Sequence, residues 1–363
     1  MRCARRLART LIRWFDRHAR DLPWRRTRDP YAVWISEIML QQTQVKTVLP
    51  YYARWMRALP RVEDFARAQP ERVLKLWEGL GYYRRARHAQ SAARIIVKKH
   101  SGRFPETFRE VLALPGVGRY TAGAICSIAF NQPVPILDGN VKRVLSRLLG
   151  IAGNARAKAV SARLWQAAEE LVGAAGSEPA RLNQGMMELG ALICLPHQPN
   201  CPDCPVRRDC FAWRENRVGE FPVPAPRQPL RARRFIALVA RRRGRFLVRR
   251  RPAGGVNAGL WEFPNFETPA NAGNVPSLAA PFRLAAGEPF FRLRHSITRY
   301  QMLLAAFHAE LPGGAVSGLA AGEWKTPAEL ERLPFAAAHR KLLEAVKLAP
   351  FLARKGGKLP SEP

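Results

Sequence analysis

Four cysteines close together in the sequence are the clearest candidates for metal chemistry. They are Cys194, Cys201, Cys204 and Cys210, with the spacing C-x6-C-x2-C-x5-C. Thiolates bind soft metals, and four of them suit either a tetrahedral zinc ion or a cubane iron–sulfur cluster. Zinc ribbons and fingers commonly show two C-x2-C pairs, whereas only one pair here is that close. The wider outer gaps fit a loop around a larger group, so the spacing favours iron–sulfur and leaves zinc open.

A glycine-containing turn at residues 114–124 (LPGVGRYTAGA) is a candidate phosphate-binding site. We expect Gly116 and Gly118 to adopt backbone conformations closed to other residues and to let the main chain approach a ligand. Backbone N–H groups at the start of the following helix can then bind a phosphate. A G-x-G pair alone also suits an ordinary turn between packed helices. The whole string is more specific and predicts a helix-hairpin-helix motif that binds the DNA backbone without sequence preference.

The segments that must position these residues are helical over most of the chain. From residue 7 to about residue 193, apolar residues recur at three- and four-residue spacing, and turn signals separate the segments. Cys126 lies in one apolar segment, so we expect its thiol to be buried. Residues 221–229 carry four prolines and predict an extended linker. Beyond the linker, apolar segments on both sides of a basic turn at residues 241–245 predict a β-hairpin, and a helical pattern follows Pro327.

We therefore predict an all-α N-terminal domain and an α+β C-terminal domain, which also suits a chain of 363 residues. The predicted bounds are 1–219 for the helical domain including the cysteine loop at 194–210, 220–231 for the linker, 232–350 for the α+β domain, and 351–363 for a basic, disordered tail.

The net charge of +32 points to a polyanionic partner, because so basic a protein repels itself. Arginine supplies 49 of the 60 cations, so part of the excess could reflect a GC-rich genome. No apolar run approaches the ~20 residues that cross a bilayer. The basic N-terminus reads as an amphipathic helix, so we expect a soluble, cytoplasmic protein associated with the nucleoid.

Several strings in the helical part resemble the adenine DNA glycosylase (MutY) family of the helix-hairpin-helix/endonuclease III superfamily. They are residues 22–25 (LPWR), 37–45 (EIMLQQTQV), 79–83 (GLGYY), the turn at 114–124, and 136–144 (ILDGNVKRV). The cysteine spacing is also that of the superfamily, and the resemblance runs through residues 7–215. It implies one [4Fe–4S] cluster on the four cysteines and favours this cluster over zinc.

Glu37 and Asp138 are the candidate catalytic pair. An isolated Glu or Asp is usually a solvated carboxylate or a helix cap, but glycoside hydrolysis generally uses two carboxyl groups, one as an acid and one as an anion. Glu37 has apolar neighbours, and burial there would raise its pKa and keep it protonated near neutral pH. Asp138 lies in a polar turn that could keep it ionised beside an oxocarbenium ion. The resemblance implies the same roles, with Glu37 protonating adenine N7 and later helping to activate water.

The resemblance also implies roles for further residues. Tyr120 and Asn140 would support the carboxyl pair, and Gln184 would bind the edge of the adenine. Such an enzyme must extrude the adenine from the base stack and fill the gap, and the resemblance implies that Leu40, Gln42 and Tyr82 enter the stack at the lesion. The other residues expected to contact the DNA are Trp24, Arg25, Gly116 and Gly118. Leu40 and Tyr82 also fit ordinary core packing.

Tyr120 separates two kinds of enzyme. Endonuclease III relatives carry a lysine at this place, whose amine forms a Schiff base with the sugar and permits strand cleavage. Tyrosine cannot form a Schiff base. We therefore expect a monofunctional glycosylase with little or no lyase activity.

Residues 232–350 resemble the family's C-terminal domain, which has a Nudix-like fold and recognises 8-oxoguanine opposite the adenine. The clearest string is residues 253–264 (AGGVNAGLWEFP). Residues 265–282 supply no glutamate-rich helix for magnesium, so we expect no pyrophosphatase activity. Where the family often shows Phe-Ser-His, this chain has Ile297, Thr298 and Arg299. Thr298 keeps a hydroxyl that can bond the lesion, and Arg299 could contact phosphate or a base edge.

The expected function is hydrolysis of adenine from duplex DNA in which it lies opposite 8-oxoguanine or guanine, by a monomer in base excision repair. One alternative is an endonuclease III-like glycosylase/lyase for oxidised pyrimidines, against which Tyr120 and the second domain argue. Another is a non-catalytic iron–sulfur protein that binds DNA, against which the two carboxylates argue.

Overall fold

Helices form where apolar residues recur at three- and four-residue spacing in the first two thirds of the chain. The computed structural model describes residues 2–224, 229–268, 279, 281–284, 287–297, 299–312, 318 and 321–355. Its helices up to the cysteine loop are α1 (Arg2–His18), α2 (Pro30–Leu40), α3 (Val45–Ala58), α4 (Val62–Arg67), α5 (Pro70–Trp77), α6 (Arg84–His100), α7 (Phe108–Leu112), α8 (Arg119–Phe130), α9 (Gly139–Leu149), α10 (Lys158–Gly173) and α11 (Pro179–Leu192). A short helix, α12 (Phe211–Arg214), follows the cysteines.

The chain divides into two compact units. The first comprises Met1–Arg67 with His88–Pro226, and the second comprises Ala68–Arg87 with Arg227–Pro363. The segment Ala68–Arg87, which includes α5, therefore groups with the C-terminal residues, although the predicted helical domain includes it. None of the described helices is long and apolar enough to span a membrane.

One apolar cluster of the first unit surrounds α1, as its amphipathic pattern predicts. Leu7, Leu11 and Phe15 pack with apolar residues of α9, α10 and α11. The side chains of Cys194, Cys204 and Cys210 pack against the same cluster. The end of α1 that carries Arg6 also pairs with Asp209 of the cysteine loop. The fold thus fixes the cysteine loop against the helical core.

The predicted hairpin lies between α7 and α8. Thr107 caps α7 by accepting a hydrogen bond from the Glu110 N–H. Gly116 has φ +77, and a Cβ there would lie 2.6 Å from the Cβ of His88, so both the conformation and the space require glycine. Gly118 differs from the prediction: it is the N-cap of α8 with φ −99 and ψ 175, which any residue adopts. No heavy atom lies within 4 Å of a Cβ built there, so Gly118 leaves the helix start open.

The second unit contains the predicted β-hairpin within a larger mixed sheet. The strands are β1 (Arg231–Arg242), β2 (Arg245–Arg250), β3 (Trp261–Glu262), β4 (Asn265–Thr268), β5 (Arg283–Leu284), β6 (Phe291–Ile297), β7 (Tyr300–Glu310) and β8 (Glu323–Lys325). Strand β1 pairs in parallel with β7 and antiparallel with β2 and β4. Strand β2 pairs with β3 and β8, and β7 pairs with β5 and β6. Arg243 and Gly244, with φ +48 and +75, form the two-residue turn between β1 and β2.

Two helices complete the second unit, α13 (Pro327–Arg332) and α14 (Ala337–Lys355). Apolar residues of both pack with one face of the sheet in a cluster around Phe263 and Phe335. The expectation of a helical N-terminal part and an α+β C-terminal part is confirmed. Within the predicted linker, residues 225–228 lie outside the described residues, as do residues 356–363 of the predicted tail. Residues 351–355 of that tail differ from the predicted disorder, because they form the end of α14.

The two hairpin glycines differ in what they tolerate. Gly116→Ala should lower the free energy of unfolding by about 1–3 kcal/mol, because the new Cβ meets His88 and the left-handed conformation disfavours alanine. Gly118→Ala should lower it by less than about 1 kcal/mol, since only the quality of the helix cap changes. Urea unfolding measures both. Similar losses in the two variants would contradict this account of the hairpin.

Candidate active site

Glu37 is buried in the middle of α2, with 2% of its surface exposed. Asp29 starts this helix by accepting hydrogen bonds from the N–H groups of Tyr31 and Ala32, and Pro30 occupies the first turn. The pKa of Glu37 is raised to about 7, mainly by burial and to a smaller extent by the charge of Asp138. The Tyr120 hydroxyl and the charge of Arg25 act in the opposite direction. A carboxyl group with this pKa can both give and take a proton near neutral pH.

Tyr120 lies in the first turn of α8, directly after the hairpin. Its hydroxyl donates a hydrogen bond to Oε2 of Glu37. Burial and the neighbouring charges of Glu37 and Asp138 raise the pKa of Tyr120 well above its usual value. The hydroxyl therefore keeps its proton and acts as a donor to Glu37.

Asp138 is the N-cap of α9. Its Oδ1 accepts a hydrogen bond from the Val141 N–H at 2.7 Å, and its Oδ2 accepts one from Asn140 Nδ2 at 3.0 Å. Burial raises the pKa of Asp138 above its ordinary value, and these donors and the charge of Arg143 offset only part of that rise. The turn thus supplies the donors that stabilise a carboxylate, but it is less solvated than the sequence suggested.

The Arg143 guanidinium connects Asn140, which donates a hydrogen bond to Asp138, to the cysteine loop. Arg143 donates from Nη2 to Asn140 Oδ1 and to the Gly190 carbonyl, both at 2.8 Å, and from Nε to the Cys194 carbonyl at 2.7 Å. Gly190 is necessary here, because a Cβ at that position would lie 2.6 Å from the Cβ of Asn140. Arg143 therefore fixes the amide that donates to Asp138.

The four candidate metal ligands are partly buried thiols in one loop. Burial raises the pKa of Cys201, Cys204 and Cys210, and each also responds to the charge of Cys194. Among the described residues, no group of three or more His, Cys, Asp or Glu side chains has the geometry to bind a metal ion. The buried Arg147 donates to Cys194 Sγ at 3.3 Å and to the Leu195 carbonyl at 2.7 Å. The chemistry of the donor set, four thiols beside a cation, fits an anionic metal–thiolate group, although the thiols are not arranged around a single metal ion.

Comparison with known proteins decides the family. Residues 35–170 match the HhH-GPD superfamily of base excision DNA repair proteins, and residues 235–345 match the NUDIX domain. The chain is 35% identical to the adenine DNA glycosylase of Rattus norvegicus over 97% of its own length and 80% of that protein. It is 40% identical to that of Mus musculus over 70% of its own length. The chain belongs to the adenine DNA glycosylase family.

The mouse match covers 59% of that relative's length. A solved structure described as a thermostable thymine-DNA glycosylase has 30% identity and a TM-score of 0.53, and covers 59% of this chain and 98% of that one. The N-terminal part is therefore a helix-hairpin-helix glycosylase fold, and the C-terminal part is Nudix-like, as expected.

Trp24 and Arg25, in the string at residues 22–25, were predicted to contact DNA. In the structure both side chains contact other parts of the protein instead. Trp24 is buried and packs edge-to-face on Tyr52, so its ring belongs to the core. Arg25 is half-buried and donates to both oxygens of Glu188, at 2.9 and 2.8 Å. Arg20 donates to the same carboxylate. Arg25 is thus hydrogen-bonded to Glu188, and its charge lowers the pKa of Glu37 without a direct hydrogen bond to that carboxyl group.

The residues predicted to contact the extruded base or the DNA are distributed over several elements. Leu40 ends α2 and is partly buried, while Gln42 is exposed with φ +59. Gln184 is partly buried in α11, and its amide donates to the Ala180 carbonyl at 3.3 Å. Tyr82 is 46% exposed and belongs to the second unit.

Of the predicted lesion contacts in the second unit, one is described. Arg299 is exposed, and its guanidinium lies over the Tyr300 ring, 5.2 Å from the centroid. Thr298 lies outside the described residues.

Sequence reasoning missed Glu188, Arg143, Arg147 and Gln41. Glu188 stands in an apolar helix, as Glu37 does, which was an available signal. Gln41 donates to Thr121 Oγ1 at 3.2 Å and so connects the end of α2 to α8. No local pattern marks this pair, since 80 residues separate them.

Tyr120→Phe should move the alkaline limb of the pH–activity profile to higher pH. The activity needs Glu37 protonated, so it should fall as pH rises through about 7. The Tyr120 hydroxyl stabilises the carboxylate, so its loss raises the pKa of Glu37. Single-turnover adenine release across pH measures the limb independently of the overall rate. Tyr52→Phe removes another buried hydroxyl and should leave the limb in place; an unshifted limb in Tyr120→Phe would show that the hydroxyl does not act on Glu37.

Proposed function

We propose that this chain hydrolyses the N-glycosidic bond of adenine that lies opposite 8-oxoguanine or guanine in duplex DNA, without cutting the strand. The observation that carries the proposal is the buried Glu37, with a pKa of about 7, bonded to Tyr120 and close enough to Asp138 to respond to its charge. Hydrolysis of a glycosidic bond requires two carboxyl groups in different environments, one that stays protonated as the acid and one that stays ionised. Membership of the adenine DNA glycosylase family indicates that the base released is adenine.

In this mechanism the two carboxyl groups have separate tasks. Glu37 gives its proton to the leaving adenine, which makes the base a better leaving group. Asp138, stabilised as a carboxylate by Val141 and Asn140, lowers the energy of the electron-poor sugar. Glu37, now ionised, accepts a proton from the water that attacks the sugar. Tyr120 occupies the place where a lysine would form a Schiff base, so the strand stays intact.

The hairpin is the proposed site of contact with the DNA backbone. The first N–H groups of α8 have no partner within the helix, and no heavy atom lies within 4 Å of a Cβ built at Gly118, the N-cap of this helix. A phosphate at this helix start would place the DNA next to Tyr120 and hence next to Glu37. The net charge of +32 supplies a sequence-independent attraction to DNA. We propose that the protein acts as a monomer on nucleoid DNA in the cytoplasm.

The proposed acid role of Glu37 is tested together with the substrate. Three duplexes carry adenine opposite 8-oxoguanine, adenine opposite guanine, and an oxidised pyrimidine. The unmodified protein should release adenine from the first two, and the strand should break only after later treatment with alkali. Glu37→Gln should abolish release while binding of the duplex persists. Glu170→Gln, an exposed glutamate on α10, is the matched control and should retain full activity.

Three outcomes would contradict the proposal. Immediate strand scission at the oxidised pyrimidine would indicate a glycosylase/lyase. No base release from any duplex would indicate a DNA-binding protein without this activity. Substantial adenine release by Glu37→Gln would remove Glu37 from the acid role.

We also propose that Cys194, Cys201, Cys204 and Cys210 bind one [4Fe–4S] cluster. Support comes from the donor set, from the cation Arg147 at 3.3 Å from Cys194 Sγ, and from the family. Bound there, the group would shape the loop that carries the exposed Arg207 and Arg208. Four thiolates would complete its coordination, so we assign the bond cleavage to Glu37 and Asp138 alone.

Metal analysis tests this proposal without an activity assay. The purified protein should contain about four iron atoms and about four acid-labile sulfides per chain. Cys201→Ser should lose most of the iron, because it removes one thiolate ligand. Cys126→Ala changes a buried thiol outside the loop and should keep it. Bound zinc without sulfide would contradict the assignment.

A further inference from the structure

The exposed ring of Tyr82 stands on a loop with an unusual backbone. Tyr82 has φ +45, and Gly79 and Gly81 before it have φ +104 and +69. A tyrosine in the left-handed region is unfavourable and persists only where its surroundings determine the conformation. Yet 46% of the side chain is exposed, so little burial of the ring itself stabilises this conformation. Other side chains must therefore fix the loop.

Three flanking side chains bond the loop backbone. The Trp77 indole N–H donates to the Gly81 carbonyl at 3.0 Å. Arg85 donates from Nη2 to the carbonyls of Leu80, at 3.2 Å, and Gly81, at 3.4 Å. The Tyr83 hydroxyl accepts from the Gly79 N–H at 3.2 Å. All of these residues belong to the second unit.

Arg85 also contacts the ring of Tyr82 directly. Its guanidinium carbon lies over the Trp77 ring, 5.3 Å from the centroid, and over the Tyr82 ring, 5.6 Å from the centroid. Cation–π attraction operates at these distances, and the planar guanidinium can stack while its N–H groups donate to carbonyls. A lysine has the charge but not the plane. Arg85 thus acts on both the loop backbone and the ring of Tyr82.

We propose that Arg85 is the positioning residue for Tyr82, and that its guanidinium fixes the exposed ring in the orientation in which it meets DNA. This inference rests on the proposed function and on the expectation, implied by the family resemblance, that Tyr82 enters the base stack at the lesion. A ring that is already fixed loses little conformational freedom when it inserts, so binding is stronger. Without Arg85 the ring would sample several rotamers and the loop backbone would relax.

A double-mutant cycle between Arg85 and Tyr82 separates this role from a direct contact of Arg85 with phosphate. The dissociation constant is measured for a duplex carrying adenine opposite 8-oxoguanine, with Glu37→Gln in every protein so that no turnover occurs. Arg85→Met should weaken binding about tenfold when Tyr82 is present. In the Tyr82→Ala background it should weaken binding by less than about twofold, because no ring remains to position. The fluorescence of a 2-aminopurine beside the lesion should report less unstacking in Arg85→Met.

Two control variants complete the experiment. Arg84→Met removes the neighbouring exposed arginine and should change binding by less than about threefold in either background, as expected for a surface charge. Arg85→Lys should recover only part of the affinity, since charge alone cannot stack. If Arg85→Met does not fold, the cycle with Arg85→Lys replaces it, and thermal unfolding identifies that case.

Two results would overturn the proposal. If the losses from Arg85 and Tyr82 multiply in the double variant, Arg85 acts independently of the ring. If Arg84→Met weakens binding as much as Arg85→Met, the effect is one of net charge. Failure of the proposed function gives a different result: the protein without Glu37→Gln would release no adenine, while the binding cycle would still decide the role of Arg85.

Discussion

Burial of the Glu37 carboxyl group is the constraint to which the rest of the first unit is adapted. The apolar core around α2 favours the neutral form, and the pKa rises from 4.5 to about 7. Because the pKa of Glu37 is higher in the folded state than in the unfolded state, protonation of this group stabilises the fold. The full contribution is present below pH 4.5. That contribution is lost as pH rises through about 7, and the difference is about 3 kcal/mol. The protein thus gives up stability at neutral pH for an acid that still has its proton.

A second buried glutamate shows the opposite solution in the same helical unit. Glu188 has no exposed surface, and it accepts hydrogen bonds from Arg20 and Arg25. These hydrogen bonds outweigh burial and lower its pKa to about 2. Its contribution to stability is present above pH 4.5 and is lost as pH falls toward 2. Arg25 connects the two sites, since it neutralises Glu188 and limits the rise in the pKa of Glu37.

Much of this arrangement could be predicted from local sequence. The apolar neighbours of Glu37 indicated its burial, the glycine turn indicated the hairpin, and the cysteine spacing indicated that the four thiols share one loop, while the cluster itself stays a proposal. What local patterns could not show are contacts between distant residues. Arg143 connects Asn140 to Cys194, and Glu188 binds Arg25 across 163 positions of the chain. Trp24 and Gly118 differ from expectation for a related reason, because a motif identifies a residue type but not its burial or backbone angles.

Base release at this site requires a carboxylic acid that is still protonated near neutral pH. Carbon-13 NMR of protein labelled at the glutamate side-chain carboxyl carbon measures this directly, with Glu37→Gln to identify the Glu37 signal. We expect a titration midpoint near 7 for Glu37. A midpoint near 4.5, the usual value, would contradict it and leave the buried carboxyl without its role as the acid.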